Sequence, residues 1–457
     1  MLQKNLKSFT KLARSQLRSQ LSTQSQPKPQ ALPVNVSTLP SGILLASIES
    51  DSPLLRLAVI VRAGSRYEPQ SKLGISHVMR SAAGLATERF SSFGITRKIE
   101  YHGGKLTVTG TRDSIAYLLE VHNEPEIVEQ SFELMADTIT RPAFKPWEVS
   151  DNNERLQADC SILEDVPFIK LTETLHQVAF KGGLRNSLYS PSFMIGKHRS
   201  EDLHKFHREH FVGMNVCAVG IGCDHHQLTE MISGNIVLPS SVGPKDSSVF
   251  IGGEMHIDSS SPLNYIAVGF EGASFNKSSK DYLAASLLSK ILGVGTQVKN
   301  LRDLSQVNRL GKAASEFLKG QNTANVSVSS FNYNYENNGI IGFNLIAPNT
   351  IDAVGFTKAM MKEFRSACNS ITDAELKEVK NNLKTSILIQ LDNEASMAYE
   401  QAFCLLMTGQ KLNADELFKQ IDGIGMNEIK NFGQKLLKSK PALVSIGINH
   451  PYLSDLE

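Results

Sequence analysis

Gly74-Ile75-Ser76-His77-Val78-Met79-Arg80-Ser81 follows a predicted strand, Leu55 to Ala63, and the stretch Gly64-Ser65-Arg66-Tyr67-Glu68. Residues Leu73 to Thr87 read as a helix, and three- and four-residue spacings put His77, Arg80 and Ser81 on one helical face. Downstream come a strand pair around Lys105 to Val121, a long helix after Pro146, and a buried strand from Asn215 to Gly222. The same order then returns: a strand at Tyr265 to Phe270, a helix at Lys280 to Leu292, strands at Val326 to Tyr335 and Gly339 to Ile346, a long helix from Thr372, and an end at Leu443 to Ile448. The offset between partners is roughly 205 to 230 residues, the signature of an internal repeat. Hairpin-like strand pairs, instead of regular alternation of strand and helix, predict an α+β fold of two similar halves, each a mostly antiparallel sheet covered by helices. The expected boundaries are 35–232 for the first half, 233–262 for a linker rich in Ser, Gly and Pro, and 263–457 for the second. In the helix from Thr372, a Thr372/Glu375 capping box precedes an apolar stripe of Leu376, Val379, Leu383, Ile387 and Leu391.

Composition excludes several classes. Among 457 residues, 47 Lys and Arg balance 46 Asp and Glu, which argues against a polyelectrolyte or a dedicated nucleic-acid binder. The strongest short apolar runs, Leu57 to Val61 and Ile340 to Ala347, have strand length and fall far short of a membrane span. Five irregularly spaced cysteines argue against a secreted disulfide framework. Cys217 and Cys223, followed by Asp224, His225 and His226, look metal-binding on paper, but the segment reads better as a buried strand running into a polar loop.

The first 48 residues contain no Asp or Glu, yet carry Lys4, Lys7, Lys11, Arg14, Arg18 and Lys28. Leu2, Leu6, Phe9, Leu12 and Leu17 recur near helical spacing between bases and hydroxyls, the composition of a mitochondrial transit peptide, expected over 1–21. Loss of its five bases would take the formal charge from +1 to −4.

The setting of His77 resembles the zinc-helix region of the pitrilysin-like, or inverzincin, metallopeptidases. In that family His-x-x-Glu-His grips zinc through its two histidines, its Glu activates the water, and a distal Glu completes the ligand set. Here His77 keeps the first position, Arg80 stands where the base belongs, and Ser81 where the second histidine belongs. The distal ligand falls at or next to Ala158 and Asp159, and Thr107 takes the place of a substrate-facing Asn. A guanidinium cannot accept the proton. At an effective dielectric of about 20, it also opposes a +2 ion about 5 Å away by roughly 6 to 7 kcal/mol. The resemblance therefore implies an inactive member, with no catalytic, cofactor-binding or metal-binding residue. His204, His207 and His210 lie three apart, but Phe206 occupies the ligand position of a near-miss motif, and the segment reads as an amphipathic helix with its histidines on a solvated side. Gly293-Val294-Gly295 reads as a helix C-cap, shorter than the glycine-rich loop of a processing-peptidase subunit.

Within the family, Arg62 to Glu68, Ser91 to Arg97, Gly103 to Thr107, Trp147 to Val149, Ile195 to Lys197 and Leu292 to Gly295 look like the core-protein branch found in mitochondrial ubiquinol-cytochrome c reductase, respiratory complex III. That likeness implies a structural role on the matrix side of the inner membrane. The implied partners are core protein 1, cytochrome b, cytochrome c1, the Rieske iron-sulfur protein and small subunits. The chain itself would carry no cofactor and contact no nucleic acid. The alternative is a noncatalytic alpha-type subunit of the mitochondrial processing peptidase.

Overall fold

A computed structural model describes residues 33–276, 279–294, 308–319 and 326–456. The expected transit peptide and Gly295 lie outside those residues. Residues 34–457 form one compact unit.

In the first half, β1 (Val34–Thr38), β2 (Leu44–Ile48), β3 (Leu54–Val61), β4 (Lys105–Gly110), β5 (Ile115–His122) and β7 (Val216–Ile221) make a sheet in the order β1-β2-β7-β3-β5-β4. Only the β2–β7 pairing is parallel. Strand alternation sends Leu55, Leu57, Val59 and Val61 to one face and Ala58 and Ile60 to the other. The first face packs under α1 (Ile75–Ser81), α2 (Pro125–Thr140), α3 (Asn153–Asp165), α5 (Ser200–His210) and α6 (His225–Asn235). Between α3 and α5 lies α4 (Pro167–Ala179).

The second half repeats this plan with five strands and, among the described residues, lacks only a counterpart of β1. β9 (Gly253–Asp258), β10 (Leu263–Gly272), β11 (Ser327–Asn334), β12 (Gly339–Pro348) and β13 (Ala442–Gly447) take the order β11-β12-β10-β13-β9, again with one parallel pairing, β13–β9. Helices α7 (Lys280–Leu292), α8 (Ala353–Asn369), α9 (Asp373–Asp392) and α11 (Met426–Leu436) cover one face, and α10 (Glu394–Thr408) follows α9. The expected fold class is what the structure has.

The remaining face of each sheet is covered by the other half. Ala398, Ala402, Leu405 and Leu406 of α10 pack on Ala58, Ile60, Cys217 and Val219 of the first sheet. Leu171, Leu175 and Ala179 of α4 pack on Ala267, Val444 and Ile446 of the second. Burying each such leucine contributes about 2 kcal/mol, so the exchange of helices holds the halves together.

Three details differ from the sequence reading, the first being that the helix expected over Leu73 to Thr87 is helical only over Ile75–Ser81, with one tighter turn at Ala82–Gly84. The helix expected after Pro146 is three, Pro146–Asp151, α3 and α4. Pro167 opens α4 at its first turn, and Val166 before it is extended (φ −108°, ψ 92°), because a residue preceding proline is pushed out of the helical region. The stretch 233–262 also holds secondary structure. β8 (Val249–Phe250) pairs with β6 (Phe180–Lys181), and β9 closes the second sheet. Gly253–Asp258 is a half-exposed edge strand, so it lacks the apolar alternation that would mark it. The capping box at Thr372 is present: Glu375 N–H donates to Thr372 Oγ1 (3.3 Å), and Thr372 N–H donates to Glu375 Oε2 (3.0 Å).

Candidate functional site: a remodelled zinc-helix region

Helix α1 begins abruptly. Gly74 sits at φ +84°, where a Cβ would meet Ser190 Oγ at 2.4 Å, so glycine is required twice over. It has no side chain to cap the helix, and Glu68 supplies the acceptor from outside. Gly74 N–H (2.7 Å), Ser76 N–H (3.0 Å) and the Ser76 hydroxyl all donate to its carboxylate. Burial pushes the Glu68 carboxyl up to about 7, against the pull of those donors and of Arg80.

His77 is buried with both ring nitrogens committed. Ser190 N–H donates to Nδ1 (3.1 Å), which fixes the proton on Nε2, and Nε2 donates to Asp159 Oδ2 (3.1 Å). Burial, then Arg80, lowers its pKa, while Asp159 opposes. Asp159, and not Ala158, is therefore the residue of α3 that faces His77. Arg80 is half-buried, with Nη2 on Leu188 O (3.5 Å), and burial lowers its pKa from an arginine's usual value. Ser81 donates to Asn152 Oδ1 (2.9 Å). One committed imidazole, one guanidinium and one hydroxyl do not fit a catalytic divalent cation, whose ligands must offer free lone pairs.

Thr107 lies on the edge strand β4, beside a cavity of about 360 Å³ walled by Tyr117, Tyr399 and Glu400. The three histidines of α5 are not on a solvated side as expected. His207 and His210 are buried, and His204 packs edge-on against Phe144. His207 Nε2 donates to Ile139 O (2.7 Å) and its ring stacks on Phe211. An imidazole with one satisfied polar atom behaves as an aromatic core residue, which charge-based reading misses. Burial takes both His207 and His210 down to about 4. Near the cysteines, Asp224 caps α6 by accepting from His226 N–H (2.9 Å), while His225 bridges Ser37 and Ser47 (2.9 Å each).

Sequence reasoning missed a buried ionic network where the halves meet. Arg66 Nη1 donates to Asp113 Oδ1 (3.0 Å) with side-chain exposures of 0% and 1%, and Arg66 Nε donates to Asp246 Oδ2 (3.0 Å). Arg112 Nη2 meets Glu173 of α4 (2.7 Å). From the second half, Glu336 N–H donates to Asp113 Oδ2 (3.2 Å), and Tyr335 O–H donates to His176 Nε2 (2.7 Å), whose Nδ1 donates to Thr172 O (2.7 Å). The available signal was Arg62 and Arg66 close behind the apolar run Leu57 to Val61.

With this geometry in place, comparison with known proteins is informative. Residues 44–192 match the insulinase family (peptidase family M16), and residues 199–383 match the M16 inactive domain. The chain belongs to the M16 peptidase family. It is 30% identical to cytochrome b-c1 complex subunit 2, mitochondrial, of Rattus norvegicus over 433 residues, covering 94% of this chain and 93% of that one. The Homo sapiens protein of the same name is also 30% identical, over 435 residues, with the same coverage. A probable mitochondrial-processing peptidase subunit alpha-1 of Arabidopsis thaliana is 23% identical over 426 residues, 91% of this chain and 82% of that one. In fold, the chain resembles a solved chain of complex III2 from Candida albicans with Inz-5 bound, at a TM-score of 0.77 and 21% identity, covering 91% of this chain and 96% of that one.

Proposed function

We propose that this chain is a non-catalytic structural core subunit of mitochondrial complex III, needed to assemble and stabilise the electron-transfer complex. The observation that carries this reading is the similarity to cytochrome b-c1 complex subunit 2, which runs along 94% of the chain and spans the remodelled helix as well as the second half. The site geometry supports it. Arg80 cannot act as a general base, and His77 serves as a strut between α1 and α3. On this reading, no described residue is catalytic or holds a metal. Its work is to present surfaces to core protein 1, cytochrome b, cytochrome c1, the Rieske protein and small subunits on the matrix face, after 1–21 directs it to mitochondria. No described helix is long and apolar enough to cross a membrane, so attachment runs through those partners.

Native-gel separation of mitochondria carrying the tagged chain tests this. Co-migration with cytochromes b and c1 is the expected result. Recovery in a soluble pair that cleaves presequences would replace this reading with the alpha-type processing subunit.

A further inference from the structure

The repeat places three matching elements around one spot in each half: the helix after the central strand, the outer edge strand, and the helix before the exchanged helix. In the first half these are α1, β4 and α3, and the space is filled. His77 bonds Asp159 across it, and Arg80 lies so close to β4 that a Cβ on Gly110 would come within 3.0 Å of its Nη1. In the second half, α7, β11 and α9 surround a cavity of about 400 Å³ instead. That volume lies in the range of small-molecule sites, about 300 to 1,000 Å³.

Leu283, Phe331, Leu383 and Ile387 give the cavity an apolar wall. Lys290 of α7 reaches across to α9, where its Nζ donates to Ser386 Oγ (3.2 Å), the counterpart of the His77–Asp159 bridge. Among the described residues its ammonium forms no ion pair. Burial lowers its pKa and no carboxylate offsets that. The acidic wall residue, Glu400, accepts instead from Gln390 Nε2 (2.8 Å). Asn332 Oδ1, also in the wall, is buried without a hydrogen-bond partner. A half-desolvated cation with no counter-ion among the described residues, and an orphaned acceptor beside apolar side chains, are features that a bound group would satisfy.

We propose that this cavity binds a small amphipathic carboxylate, its head on Lys290 and the Ser386 hydroxyl and its apolar body against Leu383, Ile387 and Phe331. The site is independent of the assembly role. Calorimetric titration of the full chain with decanoate, 1-decanol and inorganic phosphate tests it. Decanoate should bind. Lys290→Met should weaken decanoate by about ten- to a hundredfold, the effect of losing one charge-assisted contact, and leave 1-decanol unchanged. Ser286→Trp, which fills the cavity from α7, should abolish both, and thermal melts of each variant report whether it folds. Absence of decanoate binding to the wild type, equal affinity in Lys290→Met, or retention in Ser286→Trp would overturn the proposal. Inorganic phosphate binding as tightly as decanoate would overturn the amphiphile assignment.

Discussion

Asp113→Ala should be the most destabilising single polar truncation where the halves meet. The Asp113 carboxylate accepts from Arg66 Nη1 and from Glu336 N–H, so its removal strands a fully buried guanidinium and a backbone donor at once. Breaking a buried pair by deleting one partner costs about 3 to 5 kcal/mol. Asp246 remains on Arg66 through Nε, which places the expected loss near the lower bound, about 3 kcal/mol. The double replacement Arg66→Met with Asp113→Leu should recover part of that, because the desolvation cost of the guanidinium disappears while the Glu336 N–H stays unpaired. Urea unfolding followed by far-UV circular dichroism measures the effect; the single tryptophan, Trp147, is 63% exposed and a poor reporter of the core. An Asp113→Ala midpoint corresponding to less than about 0.5 kcal/mol, the range of an ordinary surface substitution, would refute the claim that this network is dry and joins the halves.

Acid and base should act on the fold through opposed groups. Glu68, raised to about 7, holds its proton longer folded than unfolded, so its contribution is present below its ordinary value of 4.5 and is lost as pH rises to about 7, up to about 3 kcal/mol. Glu68→Gln should flatten that slope in urea midpoints taken across the interval, and an unchanged slope would contradict the assignment. His207 and His210, lowered to about 4, act the other way: their stabilisation is present above 6.5 and lost as pH falls toward 4. His207→Phe should reduce the acid sensitivity in that window; equal acid sensitivity in the variant would exclude His207 as its source. Gly74→Ala should cost about 3 kcal/mol or more, because it adds a Cβ both to a left-handed residue and into Ser190, and a melt within error of wild type would disprove that contact.

The strands and helices that sequence reading located share one property: both faces or one full stripe is apolar, as in Val216–Ile221 or Lys280–Leu292. The capping box at Thr372 was legible because its two residues lie three apart and their bonds are local. The substitutions at Arg80 and Ser81 were legible for the same reason, since a helical motif is written in consecutive residues. What was hidden depends on distant parts of the chain. Nothing in Pro167 to Ala179 or Glu394 to Thr408 says which sheet they cover, because an apolar stripe does not name its partner. The burial of His207 depends on Phe144 and Ile139, and that of Arg66 on Asp113 and Asp246. The register of the distal helix turned on one residue, and only the placement of Asp159 against His77 decided it.

A helix as deeply packed as α1 needs ties to its neighbours, whether ligands drawn to a common ion or hydrogen bonds. In this chain two hydrogen bonds, His77 to Asp159 and Ser81 to Asn152, join α1 to α3. Each contributes about 1 kcal/mol, more where the carboxylate is charged. Glu68 holds the start of α1, and Gly74 on Ser190 fixes its height above the loop that precedes α5. The helix is thus held from three sides by groups that need no ion, and Arg80 can occupy the remaining space without loosening it. A scaffold gains from this arrangement: hydrogen bonds alone fix the helix, and the surfaces it offers to partners stay fixed.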